Sequence, residues 1–187
     1  MNNQRRTHMA YIELTNQLPG ITGLLKQFTR TAKPLSELAQ ELLRGPSTLT
    51  PGERETIASY VSSRNECTFC MNSHGAAARH LLKDNASWVD EVISDVESSG
   101  VSSKMKALLN IAGKVQQSGQ KVTRDDVQRA RDEGADDQEI HDTVLIAAAF
   151  CMYNRYVDGL GTWAPEDAED YMEGGKVLAT VGYVRER

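Results

Sequence analysis

The amino-acid sequence predicts an all-α protein, and three observations carry that expectation. Apolar residues recur at helical spacing through most of the chain, as in Leu18 to Phe28 and Leu35 to Leu43. Capping and breaking residues punctuate the chain at helix-length intervals. No run alternates apolar and polar residues as a half-buried strand would.

Taken in order, residues 1–10 are polar and are expected to fray. Leu18 to Phe28 has one apolar face, and Leu35 to Leu43 has another, starting after Pro34 and ending at Gly45-Pro46. Thr50-Pro51-Gly52-Glu53 is a start signal: Thr50 can cap, Pro51 suits the first helical position, and Glu53 completes a capping box. That helix should run to about Arg64, and Cys67 to Leu82 reads as the next, ended by Lys83-Asp84-Asn85. Trp88 to Val96 follows, stopped by the Ser-Ser-Gly at 98–100, and then Met105 to Val115 with Leu108, Leu109 and Ile111 apolar. Thr123 to Arg131 is short and capped by Thr123 with Asp126. Asp136 to about Tyr156 is long, opens with a capping box to Glu139, and is apolar all round in its middle, which predicts burial on every side. Pro165 to Leu178 closes the chain.

At 187 residues, with 40% apolar and 25% charged residues, the chain suits a single domain over 1–187. The net charge of −5 argues against nucleic acid or an anionic membrane as partner, since both require a basic face. The longest apolar run, Val144 to Met152, falls well short of the roughly 18 residues of a membrane span. The opening MNNQRRTHMA is basic but lacks a following apolar stretch, so no signal peptide is read and a cytoplasmic location is the default.

Three cysteines, Cys67, Cys70 and Cys151, do not make a disulfide framework. Cys67 and Cys70 therefore call for a chemical explanation. At about 100° per residue, Cys70 lies about 300° and His74 about 340° round the helix from Cys67, so all three share a sector of about 60°. His74 follows Cys70 by four residues, the spacing at which helix side chains meet. A thiolate is the attacking species in peroxide or disulfide chemistry. A helix N-terminus favours Cys67 as that thiolate, whereas His74 could take the Cys70 proton directly or through one water. Glu55 is the candidate carboxylate to orient the imidazole. On one straight helix Glu55 and Cys67 would stand about 18 Å apart, so the relay requires the chain to reverse near Ser63-Arg64-Asn65. After oxidation of one cysteine to a sulfenic acid, the other can condense with it to a disulfide, which a partner dithiol must reduce. No glycine-rich dinucleotide loop is present, so the reductant is expected to be external.

The pattern Glu55, then Cys67-x-x-Cys70-x-x-x-His74, resembles the alkylhydroperoxidase AhpD core of the carboxymuconolactone decarboxylase-like superfamily, over about residues 50–82. The chain length and the second block ending in Tyr153-Asn154-Arg155-Tyr156 resemble its peroxidase-related branch. The resemblance implies an all-α AhpD-like helical bundle and a homo-oligomer, a trimer or hexamer. It implies cofactor-free reduction of a small hydroperoxide, with Cys70 attacking, Cys67 resolving, and His74 and Glu55 relaying protons. AhpD has histidine immediately before the second cysteine where this chain has Phe69, a departure that bears on peroxidase efficiency and on the reducing partner.

Other readings stand beside this one. Cys67, Cys70, His74 and His80 could be enumerated as zinc ligands, but His80 falls about 220° round the helix from Cys67, and no metal is expected. Cys151, amid Leu-Ile-Ala-Ala-Ala-Phe, reads as a buried structural thiol. Tyr153, Tyr156 and Trp163 fit a pocket, an interface or plain packing. A shift of 84 residues aligns Glu55 with Glu139, Cys67 with Cys151, Cys70 with Asn154 and His74 with Asp158, which raises the alternative of two related helical halves. The functional alternatives are a dithiol sensor or disulfide oxidoreductase with little turnover, and a non-redox enzyme on the same fold.

Overall fold

The computed structural model describes residues 10–184, so the expected fraying falls almost wholly outside it. Nine α-helices occur among the described residues: α1 (Gly20–Gln27), α2 (Thr29–Arg44), α3 (Pro51–Arg64), α4 (Thr68–Leu82), α5 (Trp88–Ser94), α6 (Ser103–Gln117), α7 (Arg124–Asp132), α8 (Asp137–Gly159) and α9 (Met172–Val181). Short 3-10 turns lie at Lys83–Asn85, Gly119–Lys121 and Ala168–Tyr171, and no strand is present among these residues. The fold is all-α, and none of its helices is long and apolar enough to cross a membrane.

Helix α3 is the axis of the bundle. Every residue from Arg54 to Ser62 is buried, and α2, α4, α5, α6 and α8 pack around it. Ile57 and Val61 meet Leu108, Ile111, Ile146 and Phe150 in the core. A helix enclosed on all sides must satisfy its own polar side chains. The Thr56 hydroxyl donates to Gly52 O (2.8 Å), that of Ser62 to Ala58 O (2.8 Å), and that of Ser59 across to Met71 O on α4 (2.9 Å). Helix α3 starts as expected: Thr50 and Glu53 form both hydrogen bonds of the capping box, with Pro51 at the first position.

The chain reverses where the sequence required it. Asn65 caps the C-terminus of α3, Glu66 takes the left-handed conformation at φ 60°, and Cys67 is the N-cap of α4. Cys67 N donates to Ser62 O and Glu66 N to Ser63 O, each at 3.0 Å, the bond pair of a Schellman turn. Side chains pin the turn from behind: Asn65 Nδ2 donates to Asn154 Oδ1 (2.8 Å) and Gln116 Nε2 donates to Asn65 Oδ1 (2.9 Å). Glu66 is exposed, and as a residue with a Cβ it bears the left-handed penalty. Glu66→Gly is therefore expected to stabilise the protein by about 0.5–1 kcal/mol. Thermal unfolding should show a Tm rise of about 2–4 °C.

Four expectations are corrected. Helix α2 begins at Thr29 and carries Pro34 inside it, because the carbonyl that Pro34 leaves without a donor belongs to the exposed Arg30, which water can serve. Helix α5 stops at Ser94, since Asp95 turns extended and its carboxylate accepts from Glu97 N (3.1 Å). Helix α8 is buried on one side only: it packs mainly on α3 and α6, with further contacts to α1, α2 and α7, leaving Leu145 and Met152 facing outward at 38% and 43% exposure. The closing segment is not one helix from Pro165. The Tyr171 hydroxyl folds back to Pro165 O (2.9 Å), and α9 proper starts at Met172 and runs on to Val181. The 84-residue shift maps the broken α3–α4 pair onto the unbroken α8, so the turn at 65–67 has no counterpart there.

Candidate active site

The α3–α4 hairpin brings Glu55 and His74 together across the two helices. His74 Nδ1 lies 2.7 Å from Glu55 Oε2, with the Glu55 side chain wholly buried and that of His74 only 12% exposed. Two residues that the motif did not include complete the carboxylate's shell. Arg44 Nη2, from the end of α2, donates to Glu55 Oε1 at 2.6 Å, and the Tyr183 hydroxyl, from the segment after α9, donates to the same oxygen at 2.5 Å. That hydroxyl is also 3.1 Å from His74 Nδ1. The His74 ring stands edge-on to Phe150 with centroids 4.5 Å apart, and nearly parallel to Tyr183 at 5.9 Å and 12°.

Charge explains why a buried carboxylate is tolerated there. Burial alone pushes the Glu55 carboxyl up. The His74 ring, Arg44 and Tyr183 outweigh burial and hold it below the ordinary 4.5. Burial and then the Glu55 charge push the Tyr183 phenol well above 10, so it stays protonated and donates. With Oε1 taken by Arg44 and Tyr183, Oε2 accepts from His74 Nδ1–H. The Nε2 lone pair then faces away from the carboxylate.

The two thiols lie at the N-terminal end of α4, both free, with Cys67 0% and Cys70 3% exposed. Ile21, Phe69, Ala76, Val157, Ala164 and Tyr171 enclose them. Phe69, standing where the AhpD pattern has histidine, packs against Tyr171 with ring centroids 6.0 Å apart. The neighbouring Cys70 thiol, then burial, pushes Cys67 strongly up, while the Cys70 amide acts the other way. The Asp158 carboxyl faces Cys67 as well; burial raises it and the thiol's hydrogen bond partly offsets this. His74 sits one turn beyond Cys70 on α4, but no hydrogen bond joins its ring to the thiol among the described residues.

The remaining candidates are dispersed. His80 is exposed and outside this cluster. Cys151 is half-buried rather than buried, because α8 turns it to the rim of the 65–67 turn, where Asn65 Nδ2 approaches its sulfur at 3.6 Å. Tyr153 is a core residue donating to Leu35 O (2.8 Å), and Trp163 Nε1 donates to Gln17 O (3.2 Å). Arg44 and Tyr183 are the residues that sequence reasoning missed. Arg44 could have been sought as the cation next to the Gly45-Pro46 helix stop. Tyr183 carries no spacing signal, standing 128 residues from Glu55.

The carboxymuconolactone decarboxylase family model matches residues 30–114, the span from α2 to α6 that holds Arg44, Glu55, both thiols and His74. An AhpD-core structure, an uncharacterized peroxidase-related protein from Ralstonia eutropha JMP134, superimposes with a TM-score of 0.75 at 25% identity, covering 86% of this chain and 82% of its own. A second peroxidase-related protein, from Silicibacter sp. TM1040, gives a TM-score of 0.73 at 23% identity over 82% of this chain and 78% of its own. A protein of unknown function from Agrobacterium tumefaciens, for which an AhpD role in antioxidant defence has been suggested, gives 0.63 at 22% identity over 77% and 97%. No curated protein sequence matches the chain. The family segment and the fold shared over most of the chain lead to one conclusion: residues 30–114 are similar to the carboxymuconolactone decarboxylase family, and the chain as a whole resembles AhpD-like, peroxidase-related proteins.

Proposed function

We propose that the protein is a thiol-dependent peroxidase in which Cys67 and Cys70 form the redox-active dithiol. One observation carries the reading: the Glu55–His74 pair, 2.7 Å apart across α3 and α4, stands one helical turn from Cys70, which is buried in one cluster with Cys67. Cys70 loses its proton to His74 Nε2 through one water or a small side-chain rotation. Its thiolate attacks the terminal oxygen of a hydroperoxide. An S–O bond forms, the O–O bond breaks, and the proton held on His74 goes to the departing alkoxide. The sulfur is oxidised by two electrons and the hydroperoxide is reduced to the alcohol. Cys67, which burial and its neighbour keep protonated, then attacks the Cys70 sulfenic acid; a disulfide forms and water leaves. An external dithiol returns both cysteines to thiols. No metal or organic cofactor enters these steps, and the reading includes a homo-oligomer, a trimer or hexamer.

The test is one equivalent of cumene hydroperoxide added to the fully reduced protein, followed by thiol count and intact mass. Peroxidase activity is expected to remove two thiols and their two hydrogens within seconds, reversibly with a dithiol and over repeated cycles. The near-complete enclosure of both sulfurs, with Phe69 covering them, favours a second reading as a redox sensor. Oxidation over hours, with a change in oligomer size and no cycling, would establish that reading instead.

A further inference from the structure

Tyr183 lies outside both the motif and the matched family segment. Helix α9 crosses α4 so closely that a Cβ on Gly175 would stand 2.5 Å from the Ala76 Cβ and 2.9 Å from Ala77 N. The chain leaves α9 through Gly182 at φ 87°, a left-handed conformation that suits glycine, where an added Cβ would also run into Gln40 Oε1. Gln40 Oε1 instead accepts from Tyr183 N at 2.7 Å. This anchored turn lays the Tyr183 ring against His74 and sets its hydroxyl on Glu55 Oε1. Arg44 closes the other side, its guanidinium carbon 5.4 Å from the Tyr183 ring centroid and its Nη2 also bonded to Leu178 O at the end of α9 (2.9 Å).

We infer that Tyr183 is a positioning residue of the proton relay, its hydroxyl occupying one oxygen of Glu55 so that the carboxylate binds the His74 proton through the other. This rests on the peroxidase reading for its kinetic consequence, but not for its physical one. A carboxylate with three donors shares its charge among them, and removing one makes it a stronger partner for the remaining two. Without the hydroxyl, Glu55 holds an imidazolium at His74 more strongly. The ring then keeps its proton to higher pH and is less often free to accept one from Cys70. The groups that bear on this balance are Glu55 and Arg54 from α3, Arg44 from α2, Tyr153 from α8, Cys70 on α4, and Tyr183 itself. Phe150, the other neighbour of the ring, does not titrate.

Tyr183→Phe keeps the ring and deletes only the hydroxyl. The pH dependence of thiol oxidation by cumene hydroperoxide is expected to move its acid limb upward by about 0.5–1 pH unit. Near pH 6 the rate should drop about 3–10-fold, with the alkaline plateau kept. A residue that merely packs would lower the rate at every pH and leave the limb in place, which would overturn the inference. Imidazole 15N resonances supply the independent readout: the His74 titration should move upward in the variant by the same amount. Coincident His74 titrations would sink the inference even in an active enzyme. A shifted titration in a protein that leaves peroxide untouched would sustain the positioning role and sink the peroxidase reading alone. Should Tyr183→Phe fail to fold, Gln40→Leu frees only the anchor of the Tyr183 amide. It must then shift the titration in the same direction by a smaller amount, and no shift would overturn the proposal.

Discussion

Cys70→Ser is expected to abolish thiol-dependent peroxide consumption while leaving the helical bundle intact. A serine hydroxyl ionises far above physiological pH, and His74 cannot raise the alkoxide fraction enough to replace a thiolate. The loss should exceed about 10³-fold, which is about 4 kcal/mol in the barrier. The structural cost is small, because the replaced atom is one oxygen for one sulfur on a 3% exposed residue, and a hydroxyl placed in an apolar shell costs about 1–3 kcal/mol. Circular dichroism and size exclusion should therefore match the native protein. The companion variant distinguishes the roles of the two thiols. Cys67→Ser should still react once, consuming one equivalent and leaving a Cys70 sulfenic acid that dimedone traps, and should then fail to turn over. Undiminished turnover in Cys70→Ser would refute the peroxidase assignment. Single-turnover reactivity in Cys70→Ser, with none in Cys67→Ser, would reverse the order of the two sulfurs. Cys67 as the retained thiol agrees with its position: it touches Cys70, faces the Asp158 carboxyl, and is wholly enclosed, all of which disfavour a thiolate there.

The sequence made the α3–α4 hairpin legible because local chemistry sets it. The Thr50–Glu53 capping box starts α3, the polar Ser63-Arg64-Asn65 run ends it, and Cys67, Cys70 and His74 follow in order from the N-cap of α4. The demand that Glu55 reach His74 then predicted the reversal, and the 2.7 Å contact meets that demand. Other features depended on what the chain meets after folding. Pro34 sits inside α2 because an exposed carbonyl can be left to water, and exposure is not written in the residues from 29 to 34. The middle of α8 looks fully apolar, yet only neighbouring helices determine which side is covered, and α3 and α6 cover one. Arg44 and Tyr183 approach Glu55 from 11 and 128 residues away, and no periodicity links positions on separate helices. A site assembled on one helix is legible in a motif, whereas the shell that tunes it comes from tertiary packing. The family segment has the same boundary, ending at residue 114, short of Asp158 and Tyr183.

Glu55→Gln tests that shell as a unit, because the carboxylate is where four elements meet. The amide keeps the size of the side chain but loses the charge, and its NH₂ can only donate. One amide oxygen cannot replace two carboxylate oxygens for Arg44, Tyr183 and His74 together, and Arg44, itself only 11% exposed, is left without its counter-charge. Breaking a buried pair in this way costs about 3–5 kcal/mol, a large part of a domain's net stability but not all of it. The folded variant should lose about 10²–10³-fold in thiol oxidation, since the imidazole is no longer held with Nε2 free to accept the Cys70 proton. The pH dependence of stability carries the sign of the same interaction. Glu55 is held below the ordinary 4.5 in the folded state, so its contribution is complete above that value and is lost as the pH falls through the lower folded one. Urea midpoints measured from neutral pH down to about pH 3 should therefore fall steeply for the native protein and less so for Glu55→Gln. At the alkaline end the Tyr183 phenol, raised well above 10, stabilises fully below 10, and that stabilisation is lost as the pH rises beyond it. Parallel acid limbs in the two proteins would mean that the carboxylate does not hold the bundle together, and the four-element account of the site would fail with it.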